Sequence, residues 1–113
     1  MYEYQAKCLR VIDGDTIVAR VDLGFHIAVE KTLRLRGVNT PEVRTRNLIE
    51  KRKGLAAKAR VVDLMEKNNF EFNLISYNVG KYGRVIADVI FLRQGDLGEL
   101  LLAEGHAEKM DMG

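Results

Sequence analysis

The chain has 113 residues, 47% of them hydrophobic, a length and composition that set a single domain as the expectation and argue against disorder. One cysteine, Cys8, excludes an internal disulfide, no His/Cys cluster has zinc spacing, and no apolar run reaches membrane-spanning length. The net charge of +2 is unevenly spread: residues 31–60 hold ten Lys/Arg against two acids, Glu42 and Glu50, while the rest holds eight against fourteen. A basic middle third suits a polyanionic partner, and equally a solvated helix face.

In chain order, Tyr4 to Ile12 reads as a strand, Asp13-Gly14-Asp15 as a turn and Thr16 to Val21 as the next strand. Asp22 to Gly24 reads as a second turn, followed by strand candidates Phe25–Val29 and Leu33–Val38. In the latter, Leu33 and Leu35 alternate with Arg34 and Arg36, so one face carries leucines and the other arginines. Pro41 ends that strand, because proline cannot donate to a ladder. Val43 to Lys53 reads as a basic loop. A helix is predicted over Leu55–Lys67, with Leu55, Ala59, Val62 and Met65 or Glu66 on its apolar face. Strands Phe70–Ile75 and Val85–Leu92 flank a loop, Asn78 to Gly83. A short helix runs from Asp96 to Glu104, with Asp96 as N-cap and Gly105 as its C′ residue. Short strands with a helix after the third fit a five-stranded Greek-key OB barrel over residues 1–113.

Three segments concentrate groups that carry chemistry. In Asp13-Gly14-Asp15-Thr16 two carboxylates flank a glycine and can be aimed at one point, as hard cations such as Ca²⁺ require. In Arg34-Leu35-Arg36-Gly37-Val38-Asn39-Thr40-Pro41-Glu42, Arg34 is a candidate phosphate clamp and Glu42 a candidate general base. The amide of Asn39 and the carbonyl of Thr40 can complete a cation site. In Lys81-Tyr82-Gly83-Arg84, the glycine admits close approach of a ligand, Arg84 can bind a phosphate, and Tyr82 can stack on a base. Taken singly, each segment also reads as an ordinary turn with exposed charge.

Taken together, D-G-D-T, then R-x-x-x-V-N-T-P-E, then K-Y-G-R resemble the staphylococcal-nuclease (thermonuclease) family across almost the whole chain, and Leu97 to Ala107 resembles that family's late helix and following short strand. The resemblance implies a calcium-dependent nuclease acting on DNA or RNA. It implies that Asp15 is the main calcium carboxylate, Asp13 a supporting acid and Thr40 a carbonyl ligand. Glu42 would be the general base or the orienter of water, Arg34 and Arg84 would bind the scissile phosphate, and Lys81 and Tyr82 would contact the nucleotide's other phosphate. Asn39 stands where the family has a second calcium-binding aspartate, so the expectation for the single ion is a lower affinity for calcium or a preference for another divalent ion. The family's stacking tyrosines have no counterpart in Glu108–Gly113, leaving Tyr77 and Tyr82 as substitutes, and the final helix is absent from the chain. Met110 and Met112 are expected to contribute to an exposed apolar patch or a weak homodimer contact, with a monomer as the other expectation. Arg44, Arg46, Lys51, Arg52 and Lys53 read either as a phosphate-tracking rim or as a solvated loop. A nucleic-acid-binding OB module with weak or no catalysis is the alternative reading, and a protein-interaction domain retaining only the fold is a third. With no signal peptide, a cytoplasmic location is expected, or secretion if a longer precursor is processed.

Overall fold

The computed structural model describes residues 1–110. Strands β1 (Tyr2–Asp13), β2 (Thr16–Gly24), β3 (Ile27–Leu35) and the short β4 (Val38–Asn39) precede helix α1 (Leu48–Lys67). Then come β5 (Glu71–Val79), a 3₁₀ turn (Lys81–Gly83), β6 (Val85–Phe91), the short β7 (Gly95–Asp96), helix α2 (Leu97–Ala103) and the short β8 (Glu108–Lys109). The sheet runs β3-β2-β1-β5-β6-β7, and a parallel pairing of β3 with β6 closes five strands into the expected OB-type barrel.

Closure depends on β1. It pairs with β5 through Tyr2–Lys7 and with β2 from Ala6 to Asp13, with register shifts after Cys8 and after Val11. Such shifts bend a strand, so one long β1 serves both halves of the barrel. Inside lie Ile17, Ala19, Leu33, Leu35, Leu74, Val89 and Phe91, and Phe72 meets Phe91 edge to face at 6.5 Å. Each large apolar side chain removed from water here stabilises the fold by ~1.5–3 kcal/mol. Cys8 is a free, buried core residue whose thiol burial pushes up to about 11, an unreactive group.

Three boundaries differ from the sequence reading. The expected turn at Asp22–Gly24 is the end of β2; the reversal falls on Phe25 and His26, with φ of 54° and 61°. Pairing with β2 from Thr16↔Arg34 to Asp22↔Ala28 merges the two expected strands into one β3, because ladder bonds outweigh the local polar interruption at Glu30-Lys31-Thr32. Helix α1 begins at Leu48, not Leu55: the side chain of Asn47 accepts from the N–H groups of Ile49 and Glu50, a cap hidden in a basic stretch. Lys51, Arg52 and Lys53 therefore sit on the helix, not in a loop. Its buried face is Gly54, Ala57, Val61, Leu64 and Met65, one position round from the predicted stripe, and Leu55 is 46% exposed. Small residues hold the N-terminal part of that face, at Gly54 and Ala57, because α1 there lies close against the turns below it.

Helix α2 is capped as expected: Asp96 accepts from the Glu99 N–H, and Gly105 follows at φ 78°. β8 pairs with β4, and the Met110 N–H donates to the Gly37 carbonyl. Met110 is 39% exposed, whereas Met112 lies outside the described residues. Among the described residues no helix is long and apolar enough to cross a membrane.

Arg60 joins α1 to the end of α2 with two bonds to Glu104, 2.7 and 2.9 Å, and reaches Asp63. The Arg60 hydrogen bonds hold the Glu104 carboxyl below its ordinary 4.5. A depressed carboxylate pKa adds stability that is complete above 4.5 and is lost as pH falls through the lower folded value. Arg60→Leu is expected to reduce the loss of stability between about pH 6 and about pH 3, compared by urea denaturation with the unsubstituted protein; an unchanged acid limb would show that solvent screens the pair completely.

Candidate active site

The chain turns between β1 and β2 at Gly14, which sits under α1. A Cβ there would lie 3.0 Å from the Ala57 Cβ and 3.0 Å from the Thr40 Cγ2, so only glycine fits without displacing a neighbour. The turn carries Asp13 and Asp15 in different roles. Asp15 is 6% exposed and its carboxylate joins three segments. Oδ1 accepts from the Thr16 hydroxyl (2.8 Å), Oδ2 accepts from the Thr40 N–H (2.9 Å), and the Arg34 guanidinium lies 3.4 Å from Oδ2. Asp13 accepts from the Val43 N–H at 3.0 Å. The two acids thus hold the amides at either end of Thr40-Pro41-Glu42-Val43.

Helix α1 holds the same loop from the other side. A Cβ on Gly54 would meet the Glu42 carbonyl oxygen at 2.6 Å and the Pro41 carbonyl oxygen at 2.9 Å. The Glu42 side chain itself is exposed and makes no hydrogen bond or ion pair among the described residues. Its carboxylate is thus held on a fixed backbone and open to solvent.

Arg34 faces away from Leu33 and Leu35 as the alternation requires, but it is not solvent-facing. Only 9% is exposed, because Asp15, the two residues of β4 and Met110, just after β8, surround its guanidinium. Nη1 donates to the carbonyls of Leu35 (3.0 Å) and Val38 (2.8 Å), which fixes the reversal at Arg36-Gly37. Nη2 donates to Asn39 Oδ1 (3.2 Å) and lies 3.9 Å from the Met110 sulfur. Most of its donors are therefore engaged with the protein.

Arg84 follows the 3₁₀ turn in extended backbone. The turn needs left-handed geometry at Tyr82 (φ 62°) and Gly83 (φ 73°), and Gly80 lies where a Cβ would press within 2.8 Å of the Ile86 side chain. Arg34 pairs in register with Ile86, so Arg84, two residues earlier, belongs to the same face of the β3–β6 seam. The Arg84 guanidinium lies 5.6 Å from the ring of Tyr82, which is 91% exposed, and its Nε donates to the Lys81 carbonyl. No hydrogen bond or ion pair among the described residues joins Lys81, Tyr82 or Arg84 to the Asp15 cluster. Tyr77 is covered by Arg36, 4.0 Å from its ring centre.

The structure therefore gathers Asp13, Asp15, Arg34, Asn39, Thr40 and Glu42, and sets Lys81, Tyr82 and Arg84 at the adjoining barrel edge. Gly54 and Ala57 were not singled out from sequence, and Met110 was expected in an apolar patch rather than against Arg34. A glycine inside a helix costs about 1 kcal/mol relative to alanine, which was the available signal for Gly54. An open groove of about 910 Å³ lies elsewhere, among Lys7, Arg20, Lys67 and Arg93, and contains none of these residues.

Among the described residues no group of three or more His, Cys, Asp or Glu could hold a metal. The candidate set is smaller and wholly oxygen: the carboxylates of Asp13 and Asp15, the Asn39 amide and the Thr40 carbonyl. The buried Thr40 Oγ1 has no hydrogen-bond partner among the described residues, an orphaned oxygen in contact range of the Asp13-Gly14-Asp15 turn. Such a donor set fits a hard cation of loose geometry such as Ca²⁺.

Gly54→Ala is expected to destabilise the protein by ~1–3 kcal/mol through overpacking, despite alanine's better helix propensity. Urea denaturation decides: a gain in stability would show that the Pro41-Glu42 backbone gives way at no cost. Thr40→Val removes the orphaned hydroxyl and retains the backbone bond to Asp15, so without metal it is expected to gain ~1 kcal/mol. If that hydroxyl also meets a cation, added Ca²⁺ will raise the melting temperature of the unsubstituted protein more than that of Thr40→Val.

No curated protein sequence matches the chain. A family profile described as staphylococcal nuclease homologue matches residues 32–112, from the middle of β3 past β8 and so across Arg34, Glu42 and Arg84. That match covers well over half of the chain and, with the closed barrel and its two helices, places the protein in the staphylococcal nuclease homologue family.

Proposed function

We propose that the protein is a calcium-dependent nuclease that hydrolyses phosphodiester bonds of DNA or RNA. The observation that carries this reading is the loop Thr40–Val43. Its ends are bonded to Asp15 and Asp13, its middle is pressed by Gly54, and it presents an uncommitted carboxylate, Glu42, beside a buried Asp15–Arg34 pair.

A phosphodiester is already anionic, and attack by water builds further charge on its oxygens. Calcium, when bound to oxygens of Asp15, Asp13, Asn39 and Thr40, supplies charge neutralisation at the phosphate and its attacking water. Glu42 takes the water's proton or orients the water. Arg84, a partly buried residue whose guanidinium is tied only loosely to the Lys81 carbonyl, neutralises the charge that develops on the phosphate oxygens. Arg34 contributes from beneath, with a fork already oriented by the Leu35 and Val38 carbonyls. Lys81 and Tyr82, both exposed, meet a flanking phosphate or base.

A second reading, a nucleic-acid-binding module with weak or no catalysis, is favoured by one observation: Nη1 and Nη2 of Arg34 are engaged with protein acceptors.

Cleavage of fluorescent single-stranded DNA and RNA, with Ca²⁺, Mg²⁺ or EDTA, separates the two. The expected result is calcium-dependent cutting, abolished by EDTA, with kcat lowered by ~10²-fold or more in Glu42→Gln and by ~10²–10³-fold in Arg84→Ala. Binding without cutting in any metal leaves the binding module.

A further inference from the structure

One ordered cluster borders the candidate site without belonging to it. β3 ends at Leu35, yet the Arg36 N–H still donates to the Ala87 carbonyl at 3.0 Å, so Arg36 continues the parallel register with β6 and lies beside Asp88. Its Nε is 3.5 Å from Asp88 Oδ1, and its guanidinium carbon is 4.0 Å from the centre of the Tyr77 ring. The Tyr77 hydroxyl in turn donates to Asp88 Oδ2 at 2.6 Å. Asp88 thus holds the ring with one oxygen and the guanidinium with the other, while its own side chain is only 14% exposed. A register shift in β5 between Ser76 and Asn78 re-aims Tyr77 onto this cluster.

The outcome is a flat cation held over an aromatic ring, with 47% of the Arg36 side chain left open. Asp88 compensates much of the charge, so the open surface is better suited to stacking than to neutralising a phosphate. Its location matches that role. Arg34 and Arg36 point to the same face of the seam, two residues apart, roughly 7 Å along a strand. The base of a nucleotide whose phosphate sits at Arg34 is within reach.

The geometry points to the Arg36–Tyr77 pair as a stacking platform for a nucleobase adjacent to the scissile phosphate of a single-stranded nucleic acid. This rests on the nuclease reading above and adds to it the group that holds the base.

The test measures binding, by fluorescence anisotropy with Ca²⁺ in a Glu42→Gln background, whose slowed cutting leaves the probe intact over the reading, with probe length checked afterwards on a gel. Two labelled probes are used: a short oligothymidylate and an oligomer of the same length made of abasic units. The expected result is that the protein binds the oligothymidylate at least ~5-fold more tightly than the abasic oligomer, in line with the worth of a base–aromatic stack. Arg36→Lys keeps the positive charge and removes the plane; it is expected to erase that preference while leaving abasic binding within about 2-fold. Tyr77→Phe, which keeps the ring and loses the bond to Asp88, is expected to give a smaller loss of the same kind. Equal affinity of the original Arg36 protein for both probes overturns the platform, independently of how either variant folds. An Arg36→Lys loss of the same size on both probes also overturns it, by assigning Arg36 to phosphate. Failure to bind either probe overturns the nucleic-acid reading itself, and the platform with it.

Discussion

The buried carboxylate of Asp15 is the constraint around which this end of the molecule is organised. An ionised carboxylate removed from water is costly unless hydrogen bonds and an opposite charge replace its hydration. Thr16, the Thr40 amide and Arg34 provide both. Those three groups come from the start of β2, the segment after β4, and β3. Satisfying one carboxylate therefore fixes the β1–β2 turn, the β3 exit and the loop leading to Glu42 relative to one another. The Arg34 fork extends the constraint to the Leu35 and Val38 carbonyls, so the chain reversal that returns Asn39 and Thr40 to the site depends on the same pair.

Helix α1 supplies the opposing wall. Its second and third turns present Gly54 and Ala57 where larger side chains would be expected on a packing face, and both are in close approach to backbone or to the Asp13-Gly14-Asp15 turn. The lower half of the same face, Val61, Leu64 and Met65, is ordinary barrel-covering core. One helix thus does two jobs along its length: apolar burial anchors its C-terminal half, and steric contact by small residues positions the acid loop at its N-terminal half. The Arg60–Glu104 pair links it to α2 at the surface, where solvent screening keeps the contribution modest.

The polar motifs were legible because their spacing is local. Two acids around a glycine, and an Asn-Thr-Pro-Glu run after a strand, place chemistry within a few residues of one another whatever surrounds them. Asp96 and Gly105 were legible for the same reason: caps are satisfied by their own helix. The burial of Arg34 was not, because alternation along β3 says only which face a side chain takes, while Met110, just after β8 and some seventy residues later, lies against its guanidinium. The packing face of α1 was misread for a related reason. Hydrophobicity ranks Leu55 above Gly54, but the barrel edge demanded close approach, which only a residue without a side chain permits.

Sequence alone determined the order of the long strands and the two helices, the family resemblance, and which acids and arginines stand in the candidate site. These follow from short-range preferences and from residue identity. Tertiary structure alone decided that Asp13 and Asp15 bracket the Glu42 loop, that Arg34 is already engaged inside the protein, and that Arg36, Tyr77 and Asp88 assemble into one cluster. The first requires the β1–β2 turn to meet the segment after β4, and the last requires closing the barrel between β3 and β6, a contact between segments separated by some fifty residues. No local pattern encodes the distance across such a seam, because that distance is set by the shared packing of all five strands.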